Sequence, residues 1–112
     1  MFKIIQPTSY TWPVTVELPV DGGRTEKATF DAEFKRLSQS RLEEIRGQIE
    51  RSEIRDVDLV REVVVGWSGV TDGENPVPYS EAALDQLLDI PMVAASIVMA
   101  LFQSMAGAKR KN

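Results

Sequence analysis

The sequence predicts an α+β fold, mainly α, with an N-terminal β-hairpin packed on a small bundle of about four helices. Three observations predict it. Apolar and polar residues alternate from Trp12 to Val20 and again from Ala28 to Phe34, on either side of Asp21-Gly22-Gly23. After Ser38 the apolar spacing lengthens to that of helices. A Trp-, Gly- and Pro-rich stretch then divides the helical part in two. At 112 residues the chain is one domain. Its predicted parts are a hairpin over 12–35, a first helical pair over 38–65, a loop over 66–80, a second helical pair over 81–107 and a basic tail over 108–112.

In the first strand Trp12, Val14, Val16, Leu18 and Val20 share one face, and Pro13, Thr15, Glu17 and Pro19 the other. Both prolines have the same parity, so their missing N–H groups fall on the same side. That side is a blunted sheet edge. Asp21-Gly22-Gly23 is the turn, and Ala28, Phe30, Ala32 and Phe34 continue the apolar face. A lone hairpin is marginal in water, so this face must rest on helices.

Ser38 or Ser40 can cap the first helix, and Ser40 to Glu43 has capping-box spacing. Leu42, Ile45 and Ile49 form its stripe, and the helix ends near Arg51. Arg41, Glu44, Arg46 and Glu50 read as solvated charge. Asp56 or a neighbour caps a second helix carrying Val57, Val60, Val63 and Val64, which ends at Gly66. Packing must hold this short, β-branched helix.

The stretch from Gly66 to Pro91 organises the chain. Trp67 and Val70 are structural anchors at one end and Tyr79 at the other, with Trp67 expected to be buried between the valine helix and the fourth helix. Ser80 caps the third helix, Glu81 favours its positive end, and Tyr79 and Leu84 have hydrophobic-staple spacing. Leu84, Leu87 and Leu88 form the buried side. Asp85 and Asp89 lie one turn apart on the other.

The fourth helix is expected from Pro91, at a first helical position, to Ala106, with Gly107 as its cap. It carries no charge. Val93, Ile97, Val98, Leu101, Phe102 and Met105 form a bulky core side. Met92, Ser96, Met99 and Gln103, flanked by Ala95 and Ala100, form the opposite stripe. A stripe of flexible, weakly polar side chains suits adaptable protein contacts. The competing reading is a central helix buried on all sides. Residues 90–106 would span roughly 25 Å, the short limit for crossing a membrane.

Composition excludes several chemistries. The chain has no cysteine and no histidine, so it offers no disulfide, thiolate nucleophile or imidazole base. A net charge of −4 with a pI near 4.8 argues against nucleic acid as partner. The N-terminal apolar run is too short for a signal peptide, so a cytoplasmic protein is expected. There is no phosphate loop, dinucleotide glycine pattern or nucleophile elbow. Asp72-Gly73-Glu74-Asn75 lacks the spacing of a calcium loop. No enzyme, cofactor or metal is predicted. From Glu62 to Asp89 every charged residue is acidic, which points to a surface, Asp85 and Asp89 included, that meets a basic or amphipathic helix. These features read as an acidic domain that binds a partner or associates with itself.

The pattern GWSGVTD-x-x-x-PVPYSEAALDQLLDIP followed by an apolar helix resembles the tail assembly chaperones of long-tailed (siphovirus-like) bacteriophages and prophages. Trp67, Gly69 and Val70 match a W-x-G-V loop. Pro76, Pro78, Tyr79 and Ser80 match a P-x-P-[FY]-S helix start, and Ala32 to Ser40 (AEFKRLSQS) matches upstream. The resemblance covers nearly the whole chain from Trp12. It implies a small, largely helical, non-catalytic protein of the host bacterial cytoplasm. Such a protein binds the tape measure protein, keeps it soluble, assists tail tube polymerisation and is absent from the mature virion. A longer frameshifted form would recruit tail tube protein. The alternatives are a small membrane-inserted protein using 90–106 as its span, and a structural tail subunit retained in the virion.

The resemblance also generates a prediction about the message. Arg110-Lys111-Asn112 permits codons on which paired tRNAs slip back one base. Sequencing the gene's last codons is expected to show AAA at Lys111 and an open overlapping frame beyond Asn112. An AAG codon there rules out slippage at this site.

Overall fold

β1 (Ser9–Val20) and β2 (Arg24–Lys35) pair antiparallel in one unbroken register, from Ser9 opposite Lys35 to Val20 opposite Arg24. The predicted turn residues make the connection. Gly22 and Gly23 take φ of +84° and +74°, a region that side-chain-bearing residues avoid. Val14 stands opposite Phe30 and Trp12 opposite Ala32, so the alternating apolar residues line one face. Val14, Phe30, Ala32 and Phe34 are buried, whereas Thr15 and Thr29 face water with their hydroxyls 3.1 Å apart. The computed structural model describes residues 1–106; Gly107 and the basic tail over 108–112 lie outside the described residues.

A third strand corrects the first helical pair. α2 (Asp56–Val63) stops at Val63, and the chain passes directly into β3 (Val64–Ser68), which pairs antiparallel with β2. The sequence reading carries the helix through Val64 and ends it at Gly66. β-branched side chains are stiff against a preceding helical turn and pack well on a pleated surface. The open side of β2 supplies backbone partners for Val64-Val65, and Gly66 removes any reason to stay helical. The sheet order is β1-β2-β3, which leaves β1 on an edge, as its prolines require. Glu33 opposes Gly66 and Phe34 opposes Val64, so Val65 is the extra residue of a bulge and points out. The α+β class holds. The mainly-α weighting does not: among the described residues helix takes 38% and strand 29%.

α1 (Gln39–Glu50) is capped by Ser38, whose Oγ accepts from the Arg41 N–H at 3.1 Å; Ser40 is not the cap. Its stripe is narrower than predicted, with Ile45 buried, Leu42 half-buried and Ile49 exposed. Arg41 is not simply solvated. Its Nε and Nη2 donate to the two carboxylate oxygens of Glu62 at 2.8 and 2.7 Å, a forked clamp between α1 and α2. At the start of α2, the backbone N–H of Arg55 donates to Asp58 at 3.0 Å, so the cap is one residue before Asp56.

α3 (Glu81–Leu88) starts as predicted, with Ser80 Oγ accepting from the Ala83 N–H at 3.0 Å. α4 (Val93–Ser104) starts two residues later than predicted. Pro91 is not its first residue. Ile90 to Val93 form a turn, with Met92 at φ 78°, ψ −15° and the Val93 N–H donating to the Ile90 carbonyl at 3.3 Å. These are the angles of the third position of a type II turn, where proline suits the second. The turn sets α3 and α4 at 105°. Among the described residues no single helix is long and apolar enough to cross a membrane.

α4 packs on β1 and α2 and buries Val93, Ile97, Ala100 and Leu101. Ala100, assigned to the exposed stripe, therefore belongs to the core. Tyr10 and Ser104 share a hydrogen bond of 2.6 Å at the far end of this contact. The inner sheet face, α2 and α4 enclose the core, to which α1 contributes Ile45 and α3 Leu84.

The clamp makes stability depend on acid pH. The side-chain hydrogen bonds from Arg41 hold the Glu62 carboxyl below its usual range, opposed by partial desolvation. A depressed folded value means the stabilisation is fully present above the unfolded glutamate value, about 4.3, and is lost as pH falls through the folded value. Chemical denaturation across this acid range is expected to show a smaller pH dependence for Glu62→Gln than for the parent. Equal slopes would mean the clamp contributes nothing.

Candidate partner-binding site

β3 delivers Trp67 to the inner face beside Ala32, and Gly69 then turns the chain under the hairpin with φ +86°. A Cβ there would lie 3.5 Å from the Phe30 backbone. The following loop is a miniature hairpin. The Val77 N–H donates to the Val70 carbonyl at 2.8 Å, and Thr71 bridges to Pro76. At its tip Asp72 Oδ1 accepts from the N–H groups of Glu74 and Asn75 at 2.9 and 2.8 Å. Those donors hold the Asp72 carboxyl below its usual range and commit it to the turn.

Trp67 pins this loop. Its Nε1 donates to the Val77 carbonyl at 2.8 Å, and its ring meets Tyr79 and Phe30 edge-to-face at 5.1 and 6.5 Å. Tyr79 in turn donates its hydroxyl to the Val64 carbonyl at 3.2 Å. The three predicted anchors, Trp67, Val70 and Tyr79, thus come together. Trp67 itself is only half-buried, and its ring packs against Phe30 and Tyr79 of the hairpin and loop, not between α2 and α4.

Two adjoining apolar hollows open beside this cluster. One, about 180 Å³, lies between the inner face of the hairpin at Val16 and Leu18 and the α3–α4 corner at Leu87, Ile90 and Val93. The other, about 160 Å³, runs from Trp67 and Val77 to Ala83 and Gln86. They share Val70, Thr71, Leu87 and Ile90, so they form one groove. The sequence reading puts Val16, Leu18, Leu87 and Val93 on buried faces and does not anticipate the groove. The signal was arithmetic: twelve residues of β1 span about 40 Å, whereas twelve of α4 span about 18 Å. The helix cannot cover the strand.

The predicted stripe on α4 is largely outward. Met92 is 59% and Met99 62% exposed, and Gln103 and Ala95 face water. Ser96 is half-buried, its hydroxyl donating to the Met92 carbonyl at 2.7 Å. The helix is therefore not enclosed on all sides. Asp85 and Asp89 do not act as a pair. Asp85 bonds Arg61 and ties α3 to α2, and Asp89 is the C-cap of α3. Among the described residues no three Asp or Glu side chains converge on a possible metal position.

The pin predicts a graded mutant series. Trp67→Phe keeps an aromatic ring and loses the bond to Val77, at a cost of about 1 kcal/mol. Trp67→Ala adds lost packing, for a total of about 3 kcal/mol. Urea unfolding followed by far-ultraviolet circular dichroism checks both; equal midpoints for parent and Trp67→Ala would show the loop to be peripheral. Comparison of the chain with protein-family models, curated proteins and solved structures returned no match.

Proposed function

We propose that the chain is a tail assembly chaperone of a long-tailed phage or prophage. It acts without catalysis in the host bacterial cytoplasm, binds the tape measure protein, keeps it soluble while tube subunits polymerise around it, and leaves before the virion is complete. The observation that carries this reading is the exposed Met92–Met99 face of a helix that lacks any charge. Support for the family comes from the residues that carry the resemblance. Trp67, Gly69, Val70, Tyr79 and Ser80 each serve the loop or the helix start that positions α3 and α4.

Met92 and Met99 are seven residues apart, about 10.5 Å along α4, the spacing of an apolar seam on a partner helix. Methionine is unbranched and polarizable, so it adapts to successive segments of a long client chain. Contacts of this kind are individually weak and release as the tube advances. Acidic residues nearby, Asp89 among them, discourage acidic segments and favour basic or amphipathic ones. A longer frameshifted form would add the contact to tail tube protein. The membrane alternative lacks support from α4, whose twelve residues span about 18 Å.

Met99→Glu tests the surface. Because Met99 is exposed, the variant is expected to unfold within about 0.5 kcal/mol of the parent. Co-expressed tape measure protein should stay soluble with the parent and precipitate with the variant. A variant that still solubilises the client would remove the stripe from the interface. Mass spectrometry of purified virions separates the chaperone, absent from them, from a structural subunit, present in them.

A further inference from the structure

We propose that the N-terminal arm of one copy, residues 1–7, docks in the apolar groove of a second copy, seating Ile4 and Ile5 against Leu18, Val70, Leu87 and Ile90. This goes beyond the tape-measure reading, because it concerns the groove and the arm and not the Met99 face.

The arm displays large apolar side chains with nothing of its own chain over them. Phe2 is 86%, Ile4 90% and Ile5 84% exposed. A run of this kind in water needs a cover. The groove is the matching surface: apolar, open, and at about 180 Å³ larger than the roughly 150 Å³ cavity that admits benzene. One or two branched side chains fit.

Reach decides which copy supplies the cover. The Thr8 carbonyl accepts from the Arg36 N–H at 2.9 Å, rooting the arm at the open end of the hairpin where Ser9 meets Lys35. The proposed seat, beside Val16 and Leu18, lies eight or more residues up the strand, at least about 26 Å away, although the groove's other end at Trp67 comes down to the level of Trp12. Ile5 and Ile4 lie three and four residues before Thr8, so at full extension they reach no more than about 14 Å. Ile4 and Ile5 therefore cannot occupy that seat in their own chain while β1 is formed. Two copies laid side by side in opposite directions bring each root beside the other's groove, so one two-fold arrangement satisfies both arms.

Charge agrees with this pairing. Lys3 is the sole charged side chain between Met1 and Tyr10. The groove's rim carries Asp72, and Asp89 precedes Ile90. No Lys or Arg occurs between Glu62 and Lys109, so the loop and the α3–α4 wall carry no like charge, and on the hairpin Lys27 stands opposite Glu17.

Sedimentation velocity over a range of concentrations tests the proposal on the full chain. Three variants are compared with it: deletion of residues 1–6, Ile4→Asp with Ile5→Asp, and Ile90→Asp. All the altered residues are exposed, and circular dichroism confirms folding. The parent is expected to self-associate reversibly, and each variant to do so about tenfold more weakly or worse. Mixing the arm-deleted chain with Ile90→Asp restores a one-to-one complex, because one supplies the groove and the other the arm. A synthetic peptide of residues 1–8 should disperse the parent, a readout that needs no variant to fold. A monomeric parent, an arm-deleted chain that associates like the parent, or a mixture that stays monomeric each overturns the proposal.

Discussion

The inner face of the hairpin is the constraint on which the rest depends. Val14, Val16, Phe30, Ala32 and Phe34 line one side of two long strands, and two strands alone do not hold together in water. The face needs a cover, and α4 with α2 supplies it. That demand explains the apolar buried side of α4, which meets β1 and α2; it does not account for the uncharged outward face at Met99 and Gln103. It also explains the direct passage from α2 to β3. α2, packed on α4, leads straight to the sheet's open side, and the next residues add to the ladder in place of a loop.

The helices cannot cover the whole face, and the groove is what remains. Its floor is the overhanging part of the hairpin. Its wall is the α3–α4 corner, held by the Pro91–Met92 turn, and its far side is the loop pinned by Trp67. The turn that sets the two helices and the groove are therefore adjacent. The left-handed backbone at Met92, uncommon for a residue with a side chain, turns the chain through 105° and leaves that side chain exposed.

Features set by a few neighbouring residues were legible in the sequence. The hairpin, its glycine turn, the Ser80 cap and the outward Met92–Met99 stripe each follow from local periodicity or capping chemistry. Those that depend on distant partners were not. Val64-Val65 become strand because β2 offers an open side, and a run of valines satisfies either assignment until that partner is known. Arg41 reads as surface charge because Glu62, twenty-one residues later, is invisible to a helical wheel. Ala100 falls on the polar arc of α4 by angle, yet it is buried with Ile97 and Leu101. Trp67 bonds Val77 and packs on Tyr79, and its surroundings differ from the expectation because Val64 and Val65 before it lie in a strand and not in a helix.

Both open sides of the sheet are protected against further strand addition. Pro13 and Pro19 lack the N–H groups that another strand on β1 would need. β3 is five residues long and bulged at Val65. Neither side offers a continuous main-chain ladder to another strand, so any contact made there falls to side chains. A sheet guarded on both sides in this way resists stacking edge to edge into fibres even where the protein is abundant.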